Sequence, residues 1–182
     1  MKEKSEEKQL REGNISLVLD SYNEIFSDFD PRPSAERGLS IDFLDECRRA
    51  LREGEGGVEL RLLIPKNKRE SKEEVIIKRR LKAHFTKHVL EKQKEVKKIR
   101  LNGSLLIGLG IVMMFVSYLV YSEILFAGRE ILKNIALIIT EPAGWFLFWI
   151  GGEKFVYKVK EILPDYVFYK KMYESEISFH NY

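Results

Sequence analysis

The sequence predicts an α+β membrane protein, with two transmembrane helices in a hairpin and a small cytosolic α/β domain. The three-stranded sheet of that domain is completed by the C-terminal strand. Three observations predict this class. Residues 101–126 form an apolar run, LNGSLLIGLGIVMMFVSYLVYSEILF, a second apolar region follows it, and short β-prone segments flank the pair. About twenty apolar residues in a helix cross a hydrocarbon core of roughly 30 Å. Beside two spans, a chain of 182 residues has room for only one small soluble domain.

The N-terminal part begins with a charged segment. Residues 1–14 carry charges of both signs and lack the apolar core of an export signal, so they are predicted to be a flexible leader. The α/β domain is predicted over residues 15–68. Its first two strands are predicted at residues 15–19 and 58–64, because both segments are rich in β-formers and end at turn residues.

Two helices are predicted between these strands. Ser21 and Glu24 match the capping-box pattern S-x-x-E and predict a short helix, while Ser40 is a good N-cap for a longer one. A strand–helix–strand crossover predicts a parallel pair. Two parallel strands cannot form a stable sheet alone, so the alternating segment at residues 176–180 is predicted to be the third strand. It lies in a C-terminal region, residues 164–182, that is predicted to dock on the first domain.

A long charged amphipathic helix is predicted over residues 69–100, which contain no glycine or proline. Ile77, Leu81, Phe85 and Val89 recur every four residues and give this helix one apolar stripe. The helix is predicted to continue into the first transmembrane helix, residues 101–126, with a possible flex point at residues 102–104. Within that span, the motif Ser104-x-x-x-Gly108 and Gly110 favour close approach of another helix.

The second transmembrane helix is predicted over residues 142–163. Pro142 is favoured at the first helical position, and Glu141 just before it suits the positive end of a helix dipole. Residues 127–141 are then predicted to be an interfacial or re-entrant segment. The alternative is one span over residues 133–152 with a kink at Pro142.

Basic residues near the span ends predict the orientation. The approach to the first span is rich in lysine and arginine, and further lysines follow the second span, whereas the connection between the spans offers only Arg129 and Lys133. The positive-inside rule therefore predicts a multi-pass protein of the inner cell membrane with both termini in the cytoplasm. The residues predicted to contact lipid headgroups are Lys94, Lys97, Lys98 and Arg100.

Two glutamates are the candidate functional residues of the membrane region. Glu141 and Glu153 are ionisable groups at or near membrane depth, where such groups are expensive and often functional. In an oligomer either could line an ion path. The alternative is that Glu141 caps a helix at the interface and that Glu153 pairs with a neighbouring lysine.

A second polar group surrounds the D-P-R-P turn. Asp28, Asp30, Arg32 and Arg37 are predicted to form an interdomain or intersubunit polar contact, with Arg32 in a bidentate pair. No metal site is predicted, because His84 and His88 lie one helical turn apart without a third ligand. No cofactor site is predicted either, since no phosphate-binding loop or nucleophile–base pair is found. The single cysteine, Cys47, is predicted to be buried and inert.

Several motifs together resemble a family of small prokaryotic two-span membrane proteins of uncharacterised function. They are ISLVLDSYNEIFSDFDPRP at residues 15–33, VELRLLIP at residues 58–65 and YESEISF at residues 173–179. In that family the second span begins near a Glu and contains Gly-Trp and a later Glu, as Glu141, Gly144-Trp145 and Glu153 do here. The resemblance implies the architecture and brings no activity with it.

The predicted role follows from the membrane architecture and from the lack of any recognisable catalytic, cofactor or nucleic-acid-binding motif. A net charge of +3 is too small to indicate a nucleic-acid partner. We expect a homo-oligomeric, non-enzymatic membrane component with a scaffold or sensor role and a cytosolic interaction domain, in contact with the lipid bilayer. The alternative is a small oligomeric channel or transporter with Glu141 or Glu153 lining the path.

Overall fold

The computed structural model describes residues 15–32, 36–53 and 59–182. The chain divides into two compact units, Met1–Leu90 with Tyr166–Tyr182, and Glu91–Asp165. The predicted flexible leader, residues 1–14, and the predicted first residue of the second strand, Val58, lie outside the described residues.

The first unit is an α/β fold. Its elements are β1 (Ile15–Val18), α1 (Ile41–Glu53), β2 (Glu59–Ile64), the first part of α2 (Ser71–Tyr121), the last part of α4 (Val159–Glu174) and β3 (Glu176–Asn181). The strand order is β1-β2-β3, and both neighbouring pairs are parallel. Leu62 of the central strand lies opposite Leu17 on one side and Phe179 on the other. This confirms the predicted three-stranded sheet and its third strand.

The core covers one face of this sheet. The three strands place alternate side chains on that face, in two rows that run across the register. The rows are Ile15, Leu60 and Ile177, then Leu17, Leu62 and Phe179. Helices α1, α2 and α4 supply the other side of the core, with Phe43 and Cys47, Ile77, Leu81 and Phe85, and Phe168 and Met172. The apolar stripe of the long helix therefore packs in the core of its own chain. It does not provide a surface for self-association.

The opposite face of the sheet carries mostly polar side chains, with Val18 and Leu63 as its apolar members. Arg61 lies in register with Ser16 and Ser178, and its Nε donates to Glu59 Oε2 at 2.7 Å. Ser178 Oγ donates to the other oxygen of Glu59, Oε1, at 2.5 Å. Parallel sheets are usually covered on both faces. Here cross-strand polar contacts take the place of a second helical layer, at least among the described residues.

The turn after β1 differs from the predicted capping box. Tyr22–Ile25 forms a single 3-10 turn, and Ser21 makes no side-chain capping bond. Glu24 instead reaches back one residue further, and its Oε1 accepts the backbone N–H of Asp20 at 3.1 Å. The carboxylate half of the capping box is therefore present, shifted by one residue because the turn is 3-10 and not α-helical.

The second unit is helical. Helix α2 continues without a break to Tyr121, α3 covers Glu130–Glu153, and a π turn at Lys154–Lys158 leads into α4. The first apolar helix thus ends five residues before the predicted end at residue 126. The prediction that a helix begins at Pro142 is wrong. Pro142 lies inside α3, where its missing N–H removes one backbone hydrogen bond without ending the helix, and Glu130 occupies the first turn instead.

Two helical stretches are long and apolar enough to cross a membrane. They lie within Ser71–Tyr121 and Glu130–Glu174, with windows of mean hydropathy 2.2 and 1.4. Only 17% and 11% of these windows are buried. The core helix of a soluble protein would be mostly buried. The exposed apolar surface of these two helices therefore favours a membrane environment.

Adjacent isoleucines of α2 provide a stability test of the first unit. Ile77 is 4% exposed in the core, whereas Ile76 is 48% exposed. We expect Ile77→Ala to lower the free energy of unfolding by about 2–5 kcal/mol and Ile76→Ala by less than about 0.5 kcal/mol. Pulse proteolysis of the detergent-solubilised protein across a urea series measures both. Equal losses would show that the stripe does not form the core.

Candidate functional site

Helices α2 and α3 pack closely against each other in the second unit. A Cβ added at Gly110 would lie 2.7 Å from Phe148 N and 2.8 Å from Gly144 O. A Cβ added at Gly151 would lie 2.7 Å from Gly103 O. At both levels only glycine lets the two backbones approach this closely, which is a recurrent way of packing helices in lipid.

A hydrogen bond lies further along the same contact. Ser117 Oγ donates to Thr140 Oγ1 at 2.8 Å, and each hydroxyl also bonds the carbonyl four residues earlier in its own helix. The contacting pairs run in opposite directions along the two helices, from Gly103 with Gly151 to Ser117 with Thr140. The helices are therefore antiparallel where they touch.

Glycines of the first apolar helix have separate roles. Gly103, predicted to be part of a flex point, is buried in a continuous helix because it faces Gly151 and Phe155. Gly110 makes the close approach predicted for it. Gly108 does not, since nothing lies within 4 Å of its Cβ position.

Glu141 is an exposed residue of α3 beside a lateral groove. The groove has a volume of about 530 Å³ and is lined by Met114, Ser117, Tyr118, Tyr121, Leu137, Glu141 and Trp145. Pro142 continues the helix instead of starting it, so Glu141 is not a helix cap. The predicted ion-path role of Glu141 stays a prediction.

Glu153 is the last residue of α3 and is also exposed. It lies where the α-helical hydrogen-bond pattern gives way to the π turn Lys154–Lys158. Single π turns inside helices are rare and occur often at functional sites. No contact described in the structure joins Glu141 to Glu153, so the two carboxylates are separate features.

The basic residues predicted to contact lipid headgroups lie on α2 ahead of the apolar run. Lys94, Lys97, Lys98 and Arg100 are all exposed. Nearby Lys92 is tied to Glu95 at 3.2 Å and to Asp165 at 3.6 Å.

Around the D-P-R-P sequence, Asp30, Arg32 and Arg37 make polar contacts within the chain. Arg32 forms the predicted bidentate pair with Asp30, with Nη2 to Oδ2 at 2.7 Å and Nε to Oδ1 at 2.9 Å. Asp30 Oδ2 also accepts Gly38 N–H at 2.9 Å, and these donors hold the Asp30 pKa well below its ordinary value. Arg37 Nε donates to Arg32 O, and Arg80 donates to Arg37 O. Asp28 lines a neighbouring groove instead. The intersubunit role of this group stays a prediction.

Sequence reasoning missed a polar network at the ends of the strands. Glu74 accepts from Arg69 Nε at 2.7 Å and from Tyr22 Oη at 3.1 Å, and Arg69 also donates to Asn181 at 2.7 Å. The Arg69 hydrogen bond lowers the pKa of the Glu74 carboxyl more than partial burial raises it. The network joins the end of β3 to the start of α2.

The two histidines of α2 pack against the first unit's own side chains. His84 and His88 are half-buried, and the His88 ring stacks on Tyr169 with centroids 4.9 Å apart. Among the described residues no group of three or more His, Cys, Asp or Glu side chains could hold a metal ion.

Comparison with protein-family models, with curated proteins and with solved structures finds no match. The resemblance to small two-span membrane proteins therefore stays a prediction.

Matched glycines test the helix contact. We expect Gly110→Ala to separate α2 from α3, because the new Cβ would meet backbone atoms under 3.0 Å away, while Gly108→Ala meets nothing within 4 Å. The double substitution Ser117→Cys with Thr140→Cys, added to each glycine variant and to the native protein, allows a disulfide to form across the helix contact. Cross-linking should fall several-fold in Gly110→Ala and stay unchanged in Gly108→Ala. Equal cross-linking in the two backgrounds would contradict the contact.

Acid titration tests the Glu74 network. The folded-state pKa of Glu74 lies below its ordinary value of 4.5, so its stabilising contribution is complete above about pH 4.5 and is lost as the pH falls through the folded-state pKa. We expect Glu74→Gln to be less stable than the native protein at pH 7 and the difference to shrink below pH 4.5. Glu73→Gln changes the exposed neighbouring carboxylate, which lies outside this network, and should cost less stability at pH 7 than Glu74→Gln. Urea unfolding at each pH measures these stabilities.

Proposed function

We propose that the chain is an integral membrane protein whose two apolar helices form a transmembrane hairpin. The hairpin anchors a small α/β domain on the cytosolic side, and that domain serves as a scaffold or sensor-type interaction module.

The pairing of β2 with β3 carries this proposal. Glu59–Ile64 precedes both apolar helices and Glu176–Asn181 follows them, yet the two strands are hydrogen-bonded neighbours across six registered pairs. Strands of one sheet lie on one side of a bilayer, because unpaired backbone groups are not tolerated within it. The chain between them must therefore cross the membrane an even number of times, which two candidate spans satisfy as a hairpin.

Contacts in the second unit support the same arrangement. Residues 103–117 of α2 lie antiparallel to residues 140–151 of α3. This favours the register in which the second span covers residues 133–152 over one that begins at Pro142. Lys133 then lies at the end of the span, where its Nζ pairs with Glu123 at 2.8 Å.

Charge distribution supports a cytosolic domain. Exposed Lys94, Lys97, Lys98 and Arg100 precede the first span, and basic residues close to a span stay on the cytoplasmic side. Near an anionic leaflet each basic residue contributes roughly 1 kcal/mol of attraction. We therefore propose that both termini lie in the cytoplasm and that the hairpin crosses the inner membrane.

We further propose that the first unit binds a partner, a second copy or another protein, through the uncovered face of its sheet. The apolar stripe of α2 is buried in the chain's own core, but the sheet has only three strands and its polar face is uncovered among the described residues. That face is the remaining argument for a second copy or another protein partner.

The channel alternative requires several copies of the chain. Within one copy the two spans touch at Gly103 with Gly151, at Gly110 with Gly144 and at Ser117 with Thr140, which leaves no space between them for an ion. Glu141 lies beside this contact, on an exposed side of α3. Anchoring therefore accounts for more of the geometry than conduction by a single hairpin does.

Cysteine labelling tests the hairpin. A membrane-impermeant maleimide added to intact cells should label Ile124→Cys, in the connection between the spans, and should label Lys66→Cys only after permeabilisation. Native Cys47 serves as an internal control, because burial raises its pKa to about 12 and keeps it unreactive. Labelling of both introduced cysteines from the same side would contradict the proposal.

A further inference from the structure

We propose that the groove beside Glu141 binds an amphiphilic organic cation from within the bilayer. This inference rests on the proposed transmembrane hairpin and names a ligand class for a site that anchoring alone does not use. The groove is the one defined above by Met114, Ser117, Tyr118, Tyr121, Leu137, Glu141 and Trp145.

The position of the carboxylate is the first argument. In the register of residues 133–152, Glu141 lies eight residues inside the span, at a depth of about 12 Å. An ionised carboxylate at that depth needs a compensating charge or polar partner. None of the hydrogen bonds or ion pairs described for this unit involves Glu141, and it is not among the residues with a further unprinted contact.

The surroundings of the carboxylate favour an organic cation. Tyr118, Tyr121 and Trp145 line the same groove, and each has more than half of its surface exposed. Aromatic faces attract cations through their quadrupole, most strongly when water is excluded. Met114 and Leu137 add apolar surface, which suits the hydrocarbon part of an amphiphile.

Other ligand classes fit less well. A divalent metal needs several oxygen ligands, whereas this groove offers one carboxylate, and the Ser117 hydroxyl is already bonded to Thr140 and to Met113 O. An anion would find no basic side chain among the lining residues.

A second copy is also a poor match for the carboxylate. Residues 105–121 and 134–152, the apolar parts of the two spans, contain no lysine or arginine. Another hairpin therefore has no basic group at membrane depth to pair with Glu141, and charge complementarity selects a cationic ligand.

Tetraphenylphosphonium is a suitable probe because it combines a delocalised positive charge with aromatic rings. We expect saturable binding of it to the full-length protein in nanodiscs, measured by equilibrium dialysis. Glu141→Gln should weaken binding about tenfold or more. Glu153→Gln, a matched change near the span end, should bind like the native protein, and Trp145→Leu should weaken binding to an intermediate extent.

Equal binding by the native protein and Glu141→Gln would overturn the proposal, as would equal binding of uncharged tetraphenylsilane. The disulfide between Ser117→Cys and Thr140→Cys, added to each variant, shows whether that variant keeps the contact between α2 and α3. If Glu141→Gln loses that cross-link, Trp145→Leu and the uncharged probe decide the question.

The same groove can be probed for a competing occupant. Disulfide-linked dimers through Tyr118→Cys, formed to the same extent with and without tetraphenylphosphonium, would show that a second copy fills the groove and would overturn the proposal. Maleimide labelling at positions 66 and 124 is independent of this assay. It fails if there is no hairpin, whereas the binding assay fails if the groove takes no cation.

Discussion

Hydrogen bonding between β2 and β3 is the interaction on which the rest of the structure depends. It joins two segments separated by both apolar helices, and β2 holds β1 on its other edge. Without β3, the central strand would have an open edge and the core would lose Ile177 and Phe179. Because the pairing is parallel, it needs a long connection, and here that connection contains the whole helical unit.

The two faces of the small parallel sheet in the first unit are covered differently. One face is covered by three helices that share a single core with the strands. The other face carries Glu59, Arg61 and Ser178 in contact across neighbouring strands, so its side chains satisfy one another. The Arg69–Glu74 pair then fastens the beginning of α2 to the end of β3 through Asn181.

Local patterns predicted the parts of the fold that local chemistry determines. The alternation of polar and apolar residues located the third strand. The four-residue repeat of apolar residues identified the buried side of α2, which carries Ile77 and Leu81. The helix start at Pro142 was wrong because a proline rule for isolated helices was applied where the flanking apolar residues sustain the helix. The Glu74 network was missed since Tyr22 is 52 residues from Glu74 and Asn181 is 112 residues from Arg69, separations that no spacing rule covers. Gly110 and Gly108 look alike in sequence, and only the position of α3 distinguishes them.

The order in which the strands are synthesised has a consequence for biogenesis. A ribosome makes β1 and β2 first, then residues 65–175, which include both apolar helices, and only afterwards β3. Long-range parallel pairing is slow because loop closure must precede it. Until β3 arrives, the apolar face of the nascent sheet lacks Ile177 and Phe179 and is open to chaperones or to misassociation. The sheet can therefore close only after both apolar helices have been made. A chain whose synthesis stops between the two helices keeps an open edge on β2 and an incomplete apolar core.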